Sequence, residues 1–329
     1  VDEAIVLRSV TKSFGPKVAV RDLDLVVPRG GLYGFIGPNG AGKTTTIRMI
    51  LSILFPDRGD LSVLGHRSAL EAKDRIGYLP EERGLYRKMR VGAFLAYMGR
   101  LKSLDGASLA RKVRAWLERL ELGDVEKKRC EDLSKGMQQK VQFIAAVLHE
   151  PDLLILDEPF SGLDPINTRL LRDLIFEQNR RGATVLFSTH VMAQAEQISD
   201  HVVMIHEGQK VLDDRLDAIR RRYEPRAIRL EPLDPNGDLS ALGRLAWARQ
   251  VSRNGSSWEI AFEPGFDPGR AVREAAAAVP LARVELVRPS LEDIFVEIVS
   301  SSSGRDPEEA GRLRAEAGGA GEPQREARP

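Results

Sequence analysis

Apolar residues recur along this chain in distinct rhythms. A period of two runs through 18–27, where Leu23, Leu25 and Val27 alternate with Asp22, Asp24 and Val26; with 4–10 it predicts two strands, the second half-buried. Between them, Thr11-Lys12-Ser13-Phe14-Gly15-Pro16 reads as a turn with Phe14 at its tip. Short apolar runs predict buried strands at Leu32, Tyr33, Phe35 and Ile36, at Leu153-Leu154-Ile155-Leu156, at Val185-Leu186-Phe187 and from Val202 to Ile205. Residues 56–66 read as turn, strand, turn, and 75–79 as a strand entering a loop at Pro80.

A helical period appears over 45–53, with Ile47, Ile50, Leu51 and Leu54 on one side. It dominates from Met89 to about Arg129. Phe94, Leu95, Met98 and Leu101 form one stripe there, and Val113, Trp116, Leu117 and Leu120 a second. Ser134 is placed to cap a helix carrying Val141, Ile144, Ala145 and Leu148, which stops before Pro151. A turn at 161–165 leads to a helix ending near Arg181, and Glu207-Gly208 reads as a hairpin turn. Beyond about 220 the pattern becomes a small α+β unit. Ile228 and Leu230 alternate around Arg229, Trp258, Ile260 and Phe262 form a strand, and 271–278 a helix. Ser290 and Asp293 form a capping box that opens a last helix.

The strand at Leu32–Ile36 is followed by Gly37-Pro38-Asn39-Gly40-Ala41-Gly42-Lys43-Thr44-Thr45 and then the helix. Strand, glycine-rich loop, Lys-Thr, helix is the context of a phosphate site. Gly37, Gly40 and Gly42 allow the backbone to curl so that successive N–H groups face phosphate oxygens. The helix start adds a positive dipole end. Lys43 reaches toward β- and γ-phosphates, and the Thr44 hydroxyl is placed for Mg²⁺.

Composition narrows the class further. The 329 residues are 42% hydrophobic, enough for a sizeable core in one to three domains. Lys and Arg total 49 against 48 Asp and Glu, so the net charge of +1 gives no sign of a nucleic-acid partner. A single cysteine, Cys130, excludes an intramolecular disulfide and fits a reducing cytoplasm. No apolar run approaches the ~20 residues of a membrane span, and the N-terminal stretch carries no secretion pattern.

Asp157 and Glu158 end an apolar strand, where two carboxylates are costly unless they serve a cation or a reaction. The order of phosphate loop, Gly77–Glu81 loop, helical stretch, Leu133-Ser134-Lys135-Gly136-Met137-Gln138, Asp157-Glu158, Leu163-Asp164 and His190 resembles the nucleotide-binding subunits of ABC transporters over about residues 4–220. The resemblance implies an α/β fold: a P-loop ATPase core with a mixed sheet, an antiparallel β subdomain and a helical insertion at about 84–150. ATP and Mg²⁺ are the implied cofactors.

The resemblance also implies residue roles. Phe14 would stack on the adenine ring; the alternative is a turn-packing aromatic. Asp157 would hold Mg²⁺, Glu158 would act as general base toward water, and His190 would contact the γ-phosphate. Glu81 stands where the family usually has Gln; it would sense the γ-phosphate or ligate Mg²⁺, or be a solvated loop charge. Ser134, Gly136 and Asp164 would act on ATP bound by a second subunit, so a dimer is implied, with a homodimer favoured. Lys135 and Met137 depart from the usual Leu-Ser-Gly-Gly-Gln. The helical insertion would grip a separate integral membrane permease. That would place the chain in the cytoplasm, on the inner face of the plasma membrane.

The leading expectation is therefore an exporter's ATP-hydrolysing subunit. A soluble ABC ATPase acting on ribosomes or DNA is the alternative, but such proteins usually carry two cassettes or basic extensions. A regulatory GTPase lacks support, because no Asn-Lys-x-Asp motif is present. The pattern Pro289-Ser-Leu-Glu-Asp-Ile-Phe resembles the end of an accessory domain of exporter ATPases; 221–300 would be that domain, for dimer contact or regulation, or a packing appendage. Residues 301–329 carry almost no large apolar side chain and are expected to be a disordered tail.

Overall fold

The computed structural model describes residues 2–82, 84–234, 240–263 and 265–303. The described chain divides into two compact units, one reaching Arg215 and including residues from Ile298, the other Leu216–Glu297.

The first unit begins with the hairpin β1 (Glu3–Phe14) and β2 (Lys17–Pro28), and β3 (Leu32–Ile36) follows. After the glycine-rich loop come α1 (Lys43–Ile50), β4 (Arg58–Val63) and β5 (Ile76–Leu79). Helices α2 (Val91–Leu101), α3 (Gly106–Arg119) and α4 (Lys135–Val147) lead to β6 (Leu153–Asp157). Then come α5 (Pro165–Arg180), β7 (Thr184–Thr189), α6 (Met192–Ile198), β8 (His201–His206) and β9 (Gln209–Arg215).

Two sheets result. An antiparallel sheet has the order β2-β1-β4, and a six-stranded sheet the order β5-β6-β7-β3-β8-β9. The second is parallel except for β9, which returns beside β8 through Glu207-Gly208, both at positive φ. Strands β3, β6 and β7 are buried along their whole length, as expected for parallel strands covered on both faces. Between the sheets lies a core that includes Leu7, Leu23, Leu25, Phe35, Ile47, Ile155 and Leu186.

The parallel register fixes what meets at one sheet edge. Ile36 pairs with Thr189 and Asp157 with Ser188. The residues after β3, β6 and β7 therefore emerge side by side. That is the crevice at the carboxyl ends of strands where open α/β sheets place ligands.

Several sequence expectations need correction. Thr11–Phe14 belong to β1, so the turn shrinks to Gly15-Pro16; the β1 backbone there is held by partners distant in sequence. Helix α1 starts at Lys43 rather than Thr45, because Gly42 at φ +108 serves as its N-cap. Leu101 leaves the buried stripe of α2 and is 50% exposed; Val91, Phe94, Leu95 and Gly99 form the buried side.

The second unit contains α7 (Leu216–Arg222), β10 (Ala227–Pro232), β11 (Ala248–Asn254), β12 (Ser257–Phe262), α8 (Pro268–Ala278) and β13 (Leu281–Val287). Its strands form an antiparallel sheet in the order β11-β12-β10-β13. Ile228, Leu230, Ile260 and Phe262 pack with Ala271 and Ala275 of α8. Helix α9 (Leu291–Ser303) closes the described chain and is entered through the expected capping box: Asp293 N–H donates to Ser290 Oγ and Ser290 N–H to Asp293 Oδ2, both at 3.1 Å. It runs into the first residues of the expected tail; residues 304–329 lie outside the described residues.

Candidate functional site

The site grows from the loop between β3 and α1. Gly42 adopts the left-handed region, and a Cβ there would sit 2.5 Å from Ala19 O. At Gly37 a Cβ would come within 2.2 Å of Ile205 O. Neither position has room for a side chain, so β2 and β8 press the loop into its curl. Helix α1 has no side-chain cap and no acidic residue in its first turn. Its first N–H groups and dipole are therefore left for an anion.

A cavity of about 290 Å³ opens over this loop. Asn39, Gly40, Gly42, Lys43, Thr44 and Thr45 line one wall, and Phe14, Lys17, Ala19, Glu81 and Glu158 the others. Lys43 is only 6% exposed, and its ammonium donates to Gly37 O at 2.7 Å and Pro38 O at 3.2 Å. Burial pushes its pKa down, opposed by the nearby carboxylates of Glu158, Asp157 and Glu81. Ala41 is buried behind the loop, its N–H bonded to Pro38 O.

Strands β6 and β7 supply the acidic wall. Asp157 is 1% exposed and accepts a 2.5 Å hydrogen bond from Ser188 Oγ. The same Oγ accepts from Glu158 N–H at 3.1 Å. Glu158 has φ +48, a strained conformation for a non-glycine residue, and it turns the carboxylate back toward the loop. Glu158 Oε1 lies 3.7 Å from Lys43 Nζ and 2.9 Å from His190 Nδ1. Burial, then the charges of Asp157 and Glu158, raise the pKa of Glu81 above the ordinary carboxylate value. A site holding three carboxylates beside one buried ammonium thus favours further positive charge.

Other residues singled out from the sequence lie elsewhere in the chain. Ser134 caps α4, accepting from Met137 N–H at 3.3 Å, and Gly136 packs near Asn167. Asp164 caps α5, accepting from Ile166 N–H and Asn167 N–H, each at 3.0 Å. These bonds hold its carboxyl below the usual range. None of the three lines the cavity over the glycine-rich loop. Ser188, Lys17 and Ala19 are the additions that sequence reasoning missed. Ser188 had a signal, since it follows an apolar run and precedes Thr189-His190. Its register opposite Asp157 exists only in the fold.

Among the described residues no cluster of three or more His, Cys, Asp or Glu side chains could hold a metal alone. Asp157 and Thr44 nevertheless offer hard oxygen donors next to the loop, which suits Mg²⁺ if phosphate oxygens and water complete its shell.

The profile of the family described as ABC transporter matches residues 20–161. That of the C-terminal domain of DrrA1-3-like ATP-binding proteins matches 215–299. The chain is 41% identical over 296 residues to the uncharacterized ABC transporter ATP-binding protein YhaQ of Bacillus subtilis, covering 89% of this chain and 97% of that one. It is 33% identical over 311 residues to the Nod factor export ATP-binding protein I of Bradyrhizobium diazoefficiens, covering 93% and 98%. A solved structure of an ATP-binding subunit of an ABC transporter superposes with a TM-score of 0.62 at 33% identity, covering 67% of this chain and 92% of that one.

Proposed function

The chain belongs to the ABC transporter ATP-binding proteins, and on that premise we propose how its residues divide the work of an ATPase subunit. It is the ATP-binding, ATP-hydrolysing component of a transporter, and its relatives include exporter ATPases. Among the described residues no helix is long and apolar enough to cross a membrane. As the ATP-binding subunit of an ABC transporter, the chain works with membrane components of that complex.

In our reading, the loop from Gly37 to Thr45 binds the phosphates through backbone N–H groups and the α1 N-terminus, with Lys43 balancing their charge. Phe14 stacks on the adenine. Thr44 and Asp157 would hold Mg²⁺, which would supply positive charge to neutralise the phosphates there. Glu158 accepts a proton from the attacking water, and His190 fixes the orientation of its carboxylate. Glu81 faces the terminal phosphate from the opposite wall.

Ser134, Gly136 and Asp164 act in trans on nucleotide held by a second subunit. Two chains then sandwich two ATP molecules head to tail, and a homodimer is the simplest such assembly. Closing and opening of that pair drives a separate permease, in the export direction. The subunit sits peripherally on the inner membrane face through that permease.

The observation that carries this reading is the meeting of Lys43, Glu158 and His190 through one carboxylate oxygen at the mouth of the phosphate loop. Lys43→Ala tests it by calorimetric titration with ATP. The expected result is a loss of affinity of about 100-fold or more, since a charge clamp on phosphate is removed. Unchanged affinity would remove the phosphate-loop assignment.

A further inference from the structure

The antiparallel pairing of β1 with β4 ends at Thr11 and Arg58. Lys12, Ser13 and Phe14 continue beyond that point toward the cavity. Asp57, the residue just before β4, takes over where the ladder stops. Its N–H donates to Thr11 O at 2.8 Å. Its Oδ2 accepts from Ser13 N–H at 2.7 Å, and its Oδ1 from Lys12 Nζ at 2.8 Å. One residue therefore holds three consecutive positions of β1 by backbone and side chain together.

Phe14 is the next residue. Its ring is 49% exposed and lines the cavity, so core packing does not fix its position. What lies against it is the Lys12 ammonium, 5.7 Å from the ring centroid, within range of a cation–π contact. Asp57 holds that ammonium. It also holds the N–H of Ser13, where the β1–β2 register shifts. The hairpin pairs Phe14 with Lys17, and the Asp57 carboxylate adds a second hold on the strand end and on the cation beside the ring.

We propose that Asp57 is a positioning residue for the Phe14 ring and thereby sets the affinity of the site for the base of a bound nucleotide. The inference rests on the reading of Phe14 as the adenine platform. Asp57 touches neither base nor phosphate. It acts by limiting the orientations open to a half-exposed aromatic at the end of β1, just before a two-residue turn. An exposed ion pair of this kind contributes little to overall stability. Its effect is therefore expected in nucleotide affinity rather than in melting temperature.

The test compares two ligands that share phosphate chemistry and differ in the base: ADP and inorganic pyrophosphate, titrated calorimetrically against the full chain. Stacking of a base on an aromatic ring contributes enough to expect about a ten-fold weaker ADP Kd in Phe14→Ala. Asp57→Ala is expected to weaken ADP about five-fold and to leave pyrophosphate Kd within two-fold. Asp57→Asn keeps an acceptor for Ser13 N–H and is expected to recover most of that loss. In the double variant the two effects are expected not to add, because both remove the same stacking.

If Phe14→Ala weakens ADP and Asp57→Ala does not, the role of Asp57 is overturned while the platform reading stands. If Asp57→Ala weakens ADP and pyrophosphate equally, its effect is a general one on the loop, and the inference fails. If Phe14→Ala leaves ADP binding unchanged, the platform reading fails and the inference with it.

Discussion

His190 Nδ1 stands 2.9 Å from Glu158 Oε1, so the imidazole and the carboxylate share one hydrogen bond at the rim of the phosphate loop. The pair joins two strand ends that are far apart in sequence, and parallel pairing of β6 with β7 brings them together. Glu158 meets the ring with its backbone in the left-handed region at φ +48. The ring restrains a side chain that has the Lys43 ammonium on its other side.

His190→Ala removes that restraint without removing a phosphate contact of the glycine-rich loop. ATP affinity is expected to stay within about three-fold, while turnover falls about 100-fold, the scale of a misplaced general base. Parallel measurement of ATP Kd and steady-state phosphate release checks this. A variant that retains turnover would show that Glu158 needs no partner.

Ser188 is the buried hinge of the acidic wall. Its hydroxyl donates to Asp157 and accepts from Glu158 N–H, and removing it leaves two buried polar groups without that partner. Ser188→Ala is expected to lower stability by about 1–3 kcal/mol. Turnover is expected to fall about ten-fold as Asp157 loses its fixed orientation. Denaturant unfolding with a phosphate-release assay tests both, and Ser188→Thr, which keeps the hydroxyl, should recover part of each.

His149 gives the fold a pH dependence separate from catalysis. Its Nε2 lies 3.1 Å from Ile76 O, and its buried Nδ1 has no hydrogen-bond partner among the described residues. Burial, with Lys102 nearby, lowers its pKa from 6.5 to about 4. In the window between those values the unfolded chain binds a proton that the folded chain excludes. The resulting stability is complete above pH 6.5 and is lost as pH falls toward 4, by up to about 3 kcal/mol. His149→Gln keeps a donor for Ile76 O and removes the titration. Its unfolding free energy should fall less steeply across this window than that of the unaltered chain.

The sequence made the centre of the fold readable for identifiable reasons. A glycine-rich loop between an apolar strand and a helical period leaves few alternatives, and the short apolar run Leu153–Leu156 reads as a strand buried on both faces. What escaped depends on partners distant in the chain. Thr11–Phe14 looked like a turn because Gly15 and Pro16 follow; Asp57 and the β2 register hold it as strand. Strands β11 and β13 were missed because arginines and glutamates interrupt their alternation, and pairing within the sheet decides them. Leu101 fits the apolar stripe by spacing but is the last residue of α2, where the chain leaves the core. The acidic wall was legible at Asp157 and Glu158. Ser188 was legible only as the end of an apolar run; its role as hinge depends on the register that sets it opposite Asp157.

Ser134, Gly136 and Asp164 do not line the cavity over the glycine-rich loop, and the proposal is that they complete a nucleotide site in a second chain. The measurement that tests it most directly is the solution mass of Glu158→Gln with and without ATP and Mg²⁺. Blocking the proton acceptor should leave ATP bound and unhydrolysed, and the expected result is an ATP-dependent doubling of mass that Ser134→Arg abolishes. A chain that binds ATP and stays monomeric at every concentration would contradict pairing between copies of this chain.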